Sequence, residues 1–286
     1  MAEFAPAKIN LTLHVLGRRP DGYHEIESLV AFADIGDRLS FEPGKALDLA
    51  VTGPTAVNAG ETESNLVLKA ARALAERAEG LKLGRFTLEK QLPVAAGLGG
   101  GSSDAAAALR LLARANSLSR DDELVRAAAK ATGADVPVCL QPNARMMRGI
   151  GELLSDPVDL PELPAVLVNP GVAVPTKDVF AALGAPELTA PPQPDDFFAI
   201  NADAAALVSI LAARRNDLET PAIKIQTVIA DVLAALQNAP GCLLARMSGS
   251  GATCFALFGS AGEAQDVART MQARHPAWWI RATSLS

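Results

Sequence analysis

Residues 93–118 read PVAAGLGGGSSDAAAALRLLARANSL, and this stretch decides the fold. Gly97, Gly99, Gly100 and Gly101 stand between a strand-like segment, GRFTLEKQL (84–92), and an alanine-rich run with helical spacing. Glycine permits positive φ and carries no Cβ to block a ligand. Free N–H groups at a helix start, with the helix dipole behind them, form an anion site. Ser102 and Ser103 add hydroxyls that can donate hydrogen bonds or ligate magnesium. The arrangement suits a di- or triphosphate. A flexible linker would carry the same glycines, but would not sit between a patterned strand and a patterned helix. The Walker pattern needs a lysine that is absent, and the dinucleotide pattern meets Ser102 where its third glycine should stand.

Upstream, residues 4–16 read as an opening strand and Arg18–Gly22 as a turn. Strands follow at 24–33, 38–42 and 47–53, in sequential antiparallel order. Residues 65–77 have helical periodicity. Downstream, Ser119 and Asp122 resemble a capping box opening a helix that Gly133 stops. Past Pro161 come a strand at 165–171, a proline-rich loop at 189–196, and helices at 201–214 and 222–237. A strand, glycine turn and strand follow at 243–259, then a helix at 261–275 and a closing strand at 278–285. The pattern divides the chain into domains 1–155 and 156–286, with the boundary near 150–162.

The 286 residues are 49% hydrophobic and 20% charged, enough for a proper core. A net charge of −6 argues against a broad grip on nucleic acid, and 4% aromatics against a base-stacking platform. Cys139, Cys242 and Cys254 are widely spaced and read as buried free thiols. His14, His24 and His275 lack metal-ligand spacing, so no metal ligand is assigned. The N-terminus lacks a signal pattern, and no stretch is apolar enough to span a membrane, so a cytoplasmic protein without membrane partners is expected. Met146, Met147, Trp278 and Trp279 read as packing residues. Arg110, Arg114, Arg145 and Arg148 read as surface arginines.

PVAAGLGGGSSDAA resembles the second motif, P-x-x-x-G-L-G-S/G-S-S-A/D-A, of the GHMP kinases. PAKINLTLHVLGRRPDGYHEI (6–26) is similar to their first motif and MSGSGATCFALF (247–258) to their third. Three motifs in the right order span essentially the whole chain. The resemblance implies an α+β, two-domain fold. Its N-terminal β-rich α/β domain carries the phosphate loop, its C-terminal domain is a ferredoxin-like α/β sandwich, and the active site lies between them. It also implies ATP as phosphoryl donor, with Mg2+. Within the family, PAKINL (6–11), DGYH (21–24) and GADVP (133–137) point to members that phosphorylate the 2-hydroxyl of a cytidine diphosphate methylerythritol. That reaction is a step of the non-mevalonate isoprenoid route.

Carried onto this sequence, the resemblance makes Lys8 and Asp135 the catalytic pair. Taken alone, Lys8 would be a solvated lysine and Asp135, between Gly133 and Pro137, a turn or cap residue on a loop. Pro93, Gly97, Leu98, Gly99, Gly100, Gly101, Ser102 and Ser103 hold the phosphates. Asn65 and Lys90 match positions on the adenine and ribose side, although Asn65 is equally a helix N-cap and Lys90 an exposed strand lysine. Asn10, on the strand face of Lys8, orients the substrate or serves as an edge polar residue. Tyr23 stacks on the cytosine and His24 bonds its polar edge, with Phe180 a second ring and Thr176 a contact. Gly249, Ser250 and Gly251 form the third-motif turn, for which a plain hairpin turn is the rival reading. Alternative functions are a homoserine or phosphomevalonate type of kinase, a non-catalytic nucleotide-binding regulator, or a dinucleotide-using redox enzyme, the last disfavoured by the pattern.

Overall fold

The computed structural model describes residues 1–58, 62–190 and 203–286. The elements in chain order are β1 (Ala2–Asn10), β2 (His14–Arg18), β3 (His24–Pro43), β4 (Asp48–Thr52), α1 (Leu66–Ala75), β5 (Gly84–Glu89), α2 (Gly100–Ala115), α3 (Glu123–Thr132) and α4 (Val136–Leu140). Next come β6 (Arg145–Gly149), β7 (Leu153–Leu154), β8 (Leu163–Asn169), α5 (Thr176–Leu183), α6 (Ala204–Ala212), α7 (Glu219–Ile225) and α8 (Val228–Gln237). The chain closes with β9 (Leu244–Met247), β10 (Cys254–Leu257), α9 (Ala261–Arg274) and β11 (Trp279–Leu285). Most of the proline-rich stretch at 189–196, and the start of the helix expected at 201, lie outside the described residues.

Two compact units form. One comprises residues 1–8, 35–94 and 99–142; the other comprises 9–34, 95–98 and 143–286. Whereas sequence pattern divides the chain once, at 155/156, these units interleave, so β1, β3 and the glycine loop each contribute to both.

In the first unit β5 pairs antiparallel with β3, from Arg38↔Glu89 to Pro43↔Gly84, and β4 pairs parallel with β5. The sequential antiparallel order expected for the first 55 residues is therefore wrong at β4. The chain leaves β3, skips one strand position, and returns through α1 to fill it, because two parallel neighbours need a crossover. The strands expected at 24–33 and 38–42 are one continuous strand. Gly36 keeps it continuous, since a Cβ there would stand 2.2 Å from the Ala5 carbonyl oxygen. The opening strand, conversely, is broken between β1 and β2. Phe41 packs on Phe86 across the β3–β5 ladder, ring centroids 4.7 Å apart.

Helix α1 packs against β4 and against α2. Ala105, Ala106, Ala107 and Ala108 are all fully buried, so this part of α2 has no solvent face and its small side chains admit close neighbours. Asp122, not Ser119, caps α3, accepting from the Leu124 N–H at 2.8 Å. Arg110 is not a surface arginine. It is nearly buried, pairs with Glu3, and donates to the carbonyls of Cys139 and Phe4.

In the second unit the sheet order is β11-β8-β10-β9, with every neighbouring pair antiparallel. Helices connect β8 to β9, and α9 connects β10 to β11. This is the split β-α-β arrangement of a ferredoxin-like sandwich. Residues 222–237 form two helices, α7 and α8, parted at Gln226–Thr227. Met146 and Met147 on β6 are buried, and Trp278 stacks on His275 at 3.9 Å. Cys139 and Cys254 are buried free thiols, but Cys242 is only half-buried.

Candidate active site

In the first unit β1 carries Lys8 into the interior. Its side chain is 4% exposed, and its Nζ lies 2.7 Å from Asp135 Oδ2, whose side chain is 38% exposed. Asp135 stands in the turn just before α4, outside the helix as the sequence suggests, and Pro137 lies in the first turn of α4. Its carboxylate makes no capping bond, which leaves it for Lys8.

The Lys8 stem runs over Gly99. A Cβ on Gly99 would lie 3.1 Å from Lys8 Cβ and 3.3 Å from Cε, and Gly99 has φ +58°. Glycine is thus required at the entry to α2 by conformation and by space alike. No side chain caps this helix, and its first backbone bond runs from the Ser103 N–H to the Gly99 carbonyl at 2.9 Å. The N–H groups of Gly100, Gly101 and Ser102 therefore have no intrahelical acceptor, as an anion site requires. Ser102 is half-buried and Ser103 fully buried, the Ser103 hydroxyl meeting no partner among the described residues.

Asn65 caps α1, its Oδ1 accepting from the Val67 N–H at 2.9 Å. Lys90 is not an exposed strand lysine. It is buried, with its ammonium between the carboxylates of Asp37 and Asp104, the latter at 2.8 Å. Burial opposes the charge on Lys90, yet the two carboxylates raise its pKa above the usual value. Burial pushes the Asp104 carboxyl up to about 7 against the pull of Lys90, and the Asp37 charge adds to the rise.

The second unit gathers the other candidates. Asn10 is buried, its Nδ2 donating to Ser28 Oγ at 2.7 Å and its N–H to Ser248 Oγ at 3.1 Å. Ser248 Oγ in turn donates to the Gly97 carbonyl at 2.9 Å. One hydroxyl thus touches residues of all three sequence motifs. A Cβ on Gly97 would stand 2.3 Å from the Ser248 carbonyl oxygen. Gly249 and Gly251 both have positive φ, and Asn216 Nδ2 donates to the carbonyls of Met247 and Gly249, each at 2.8 Å. The third motif is therefore a braced turn that closes the β9–β10 hairpin.

Thr176 and Ser250 share a hydroxyl contact at 2.8 Å. The His24 ring lies on Phe180, centroids 4.7 Å apart. Burial, aided by the charge of Arg18, lowers the His24 pKa, so its ring is neutral at neutral pH. Tyr23 stands beside them with 59% of its surface exposed. Pro93 is half-buried and Leu98 buried.

Among the described residues no cluster of three potential metal ligands occurs. No described helix is long and apolar enough to cross a membrane. Ser248, Asn216, Asp37 and Asp104 escaped the sequence reading as site residues. Ser248 and Asp104 lie inside quoted motifs and were within reach, whereas Asn216 and Asp37 carry no local signal.

A lysine–carboxylate pair packed on the glycine-led N-terminus of a helix is the equipment of a phosphotransferase acting on a hydroxyl. The comparisons agree. Residues 65–142 match the GHMP kinases N terminal domain, and residues 199–277 match the GHMP kinases C terminal domain. The chain belongs to the GHMP kinases, a family that uses ATP. It is 57% identical to a 4-diphosphocytidyl-2-C-methyl-D-erythritol kinase of Methylorubrum extorquens, over 99% of this chain and 98% of that protein. It is 54% identical to an enzyme of the same name from Rhodopseudomonas palustris, over 100% and 99%. A solved 4-(cytidine 5'-diphospho)-2C-methyl-D-erythritol kinase superposes with TM-score 0.78 at 35% identity, covering 100% and 99% of the chains. The L. major mevalonate kinase, at TM-score 0.66 and 14% identity, shares the fold over 100% of this chain and 96% of its own.

Proposed function

We propose that this chain transfers the γ-phosphoryl group of ATP to the 2-hydroxyl of 4-diphosphocytidyl-2-C-methyl-D-erythritol, in the cytoplasmic, non-mevalonate route to isoprenoid precursors. The observation that carries the reading is the buried Lys8, held 2.7 Å from Asp135 with its stem across Gly99. Bound ATP would supply the phosphoryl group, and Mg2+ would neutralise part of the charge on its phosphates. The substrate oxygen forms the new P–O bond, the bond to the ADP leaving oxygen breaks, and the hydroxyl proton passes to Asp135. Lys8 pairs with that carboxylate and faces the negative charge on the transferring group.

The residues of the first unit fit a nucleotide phosphate. Gly99, Gly100 and Gly101 present backbone without Cβ, and the N–H groups that follow lack acceptors. Ser102, the more accessible of the two serines, is the side chain available to Mg2+, which commonly keeps several waters and needs few protein ligands. Asn65 belongs to the adenine and ribose side of this site, whereas Lys90, buried between Asp37 and Asp104, supports the loop from within.

His24, Phe180 and Tyr23 recognise the cytosine. A neutral imidazole can donate and accept at the polar edge of the base, and Tyr23 is free to stack. Asn10 and Thr176 orient the rest of the acceptor beside the turn of Gly249, Ser250 and Gly251. The aromatic group favours a pyrimidine acceptor over a homoserine or phosphomevalonate one, and the intact Lys8–Asp135 pair disfavours a non-catalytic regulator.

The test is ADP release from ATP with a panel of acceptors, including the cytidylyl methylerythritol, homoserine and phosphomevalonate. Turnover should appear with the cytidylyl acceptor alone. Tyr23→Ala should weaken that acceptor and leave ATP binding intact. Turnover with another acceptor, or an indifferent Tyr23→Ala, refutes the substrate assignment.

A further inference from the structure

Asp37 belongs to none of the three motifs, yet its side chain is fully enclosed in the first unit. Its Oδ1 accepts from the backbone N–H groups of Gln91, at 2.5 Å, and Leu92, at 2.9 Å. Its Oδ2 takes the ammonium of Lys90, which reaches on to Asp104 Oδ2 at 2.8 Å. Asp104 lies at the start of α2. The chain therefore leaves β5 under one carboxylate and enters α2 under another, with a single ammonium joining them. Gly100 sits directly on this cluster, since a Cβ there would lie 3.5 Å from Lys90 Nζ and 3.7 Å from Asp37 Oδ2.

Stability alone does not account for such a cluster. Apolar residues of similar volume commonly stabilise as well or better than buried ion pairs, which are best attested as devices for fixing registry. What the cluster fixes here is the spacing between Gln91–Leu92 and the first turn of α2, the two ends of the glycine loop.

We propose that Asp37 is a positioning residue for phosphoryl transfer. With Lys90 it pins both ends of the segment 91–104, so that the N–H groups of Gly100, Gly101 and Ser102 are set for a phosphate before nucleotide arrives. The inference rests on the reading of this loop as the ATP site, and it gives Lys90 a role through the loop rather than through contact with the base. A loop ordered in advance spends less of its binding energy on ordering, so the effect falls on nucleotide affinity.

The test compares Asp37→Asn with Asp37→Ala in the full chain. Asn retains an oxygen for the two N–H groups and loses the charge for Lys90, while Ala loses both. The KM for ATP and the Kd for ADP should rise about tenfold in the first and about a hundredfold in the second, each tenfold step being one lost anchor of roughly hydrogen-bond strength. The KM of the cytidylyl acceptor should stay within about twofold in both, because only the nucleotide side is loosened. Equal ATP KM in wild type and both variants, with a fall in melting temperature alone, overturns the proposal.

Amide exchange on the wild type decides the matter even if the variants do not fold. The N–H groups of Gln91 and Leu92 should be protected without nucleotide, and added ADP should protect Gly100 to Ser102. Free exchange at Gln91 and Leu92 until ADP is added overturns the positioning role alone. No protection of Gly100 to Ser102 by ADP overturns the nucleotide-site reading, and this inference with it.

Discussion

The Lys8–Asp135 pair is asymmetric, and the asymmetry predicts unequal responses to its two single substitutions. Lys8 is 4% exposed and Asp135 is 38% exposed, with 2.7 Å between the charged atoms. In Lys8→Met the aspartate turns to the water it already meets, and the methionine keeps apolar contact with Gly99. The stability cost should be that of an exposed pair, about 0–1 kcal/mol. In Asp135→Asn a buried ammonium loses its counter-ion. Breaking a fully buried pair costs about 3–5 kcal/mol, and water reaching this pair through Asp135 reduces that to about 1–3 kcal/mol. Both variants should lose about 10²–10⁴-fold in turnover, the range for removing a positioned proton acceptor or its electrostatic partner. Urea denaturation gives the stabilities and ADP release the rates. A Lys8→Met protein less stable than Asp135→Asn would refute the burial argument. An Asp135→Asn enzyme within about tenfold of wild-type turnover would remove Asp135 from proton transfer.

Three further outcomes follow from packing and charge. Ser248→Ala leaves the Asn10 N–H and the Gly97 carbonyl without their shared hydroxyl, so denaturation should show a loss of about 1–3 kcal/mol. Gly36→Ala places a Cβ 2.2 Å from a backbone oxygen that cannot move aside, whereas Gly22, at φ +87°, has open space around it. Thermal melting should therefore show a loss of at least about 3 kcal/mol for Gly36→Ala against about 1–2 kcal/mol of backbone strain for Gly22→Ala. The Asp104 carboxyl rises from 3.8 to about 7 on folding, so between those values the folded state holds the extra proton. Its contribution is full below the unfolded value and is lost as pH rises towards 7. Asp104→Asn should flatten the corresponding fall in stability, measured by urea midpoints across that window.

Local chemistry made much of the fold legible. Asn65 as a cap, Gly133 as a helix stop and the glycine entry to α2 are decided within a few residues, and they stand where the sequence puts them. The choice of Asp122 over Ser119 as the cap of α3 is a local misreading, and the larger misreadings are tertiary. Gly36 looks like a break but is held in a continuous strand by the approach of Ala5. The pairing of β4 with β5 depends on a crossover through α1, which no period in β3 or β4 announces. Arg110 looks solvated because its partners, Glu3 and two carbonyl oxygens, lie far away in the chain.

The candidate site divides along the same line. Residues that would face a ligand come in runs, because a phosphate or a base touches several neighbours in one loop. That is why Gly97–Ser103, Tyr23–His24 and Gly249–Gly251 stand out as motifs. Residues that hold those runs in place answer to single distant partners. Asp37 is 53 positions from Lys90, and Ser248 is 238 positions from Asn10. Asp37 has no neighbour in sequence that shares its task, and Ser248, although inside the third motif, carries no local sign of its two distant partners. Their chemistry is nonetheless specific, since each satisfies buried donors or acceptors that would otherwise be left unpaired at a sizeable cost. For a site of this design the motifs identify the reaction, and the solitary buried polar residues determine whether the reacting groups are in register to perform it.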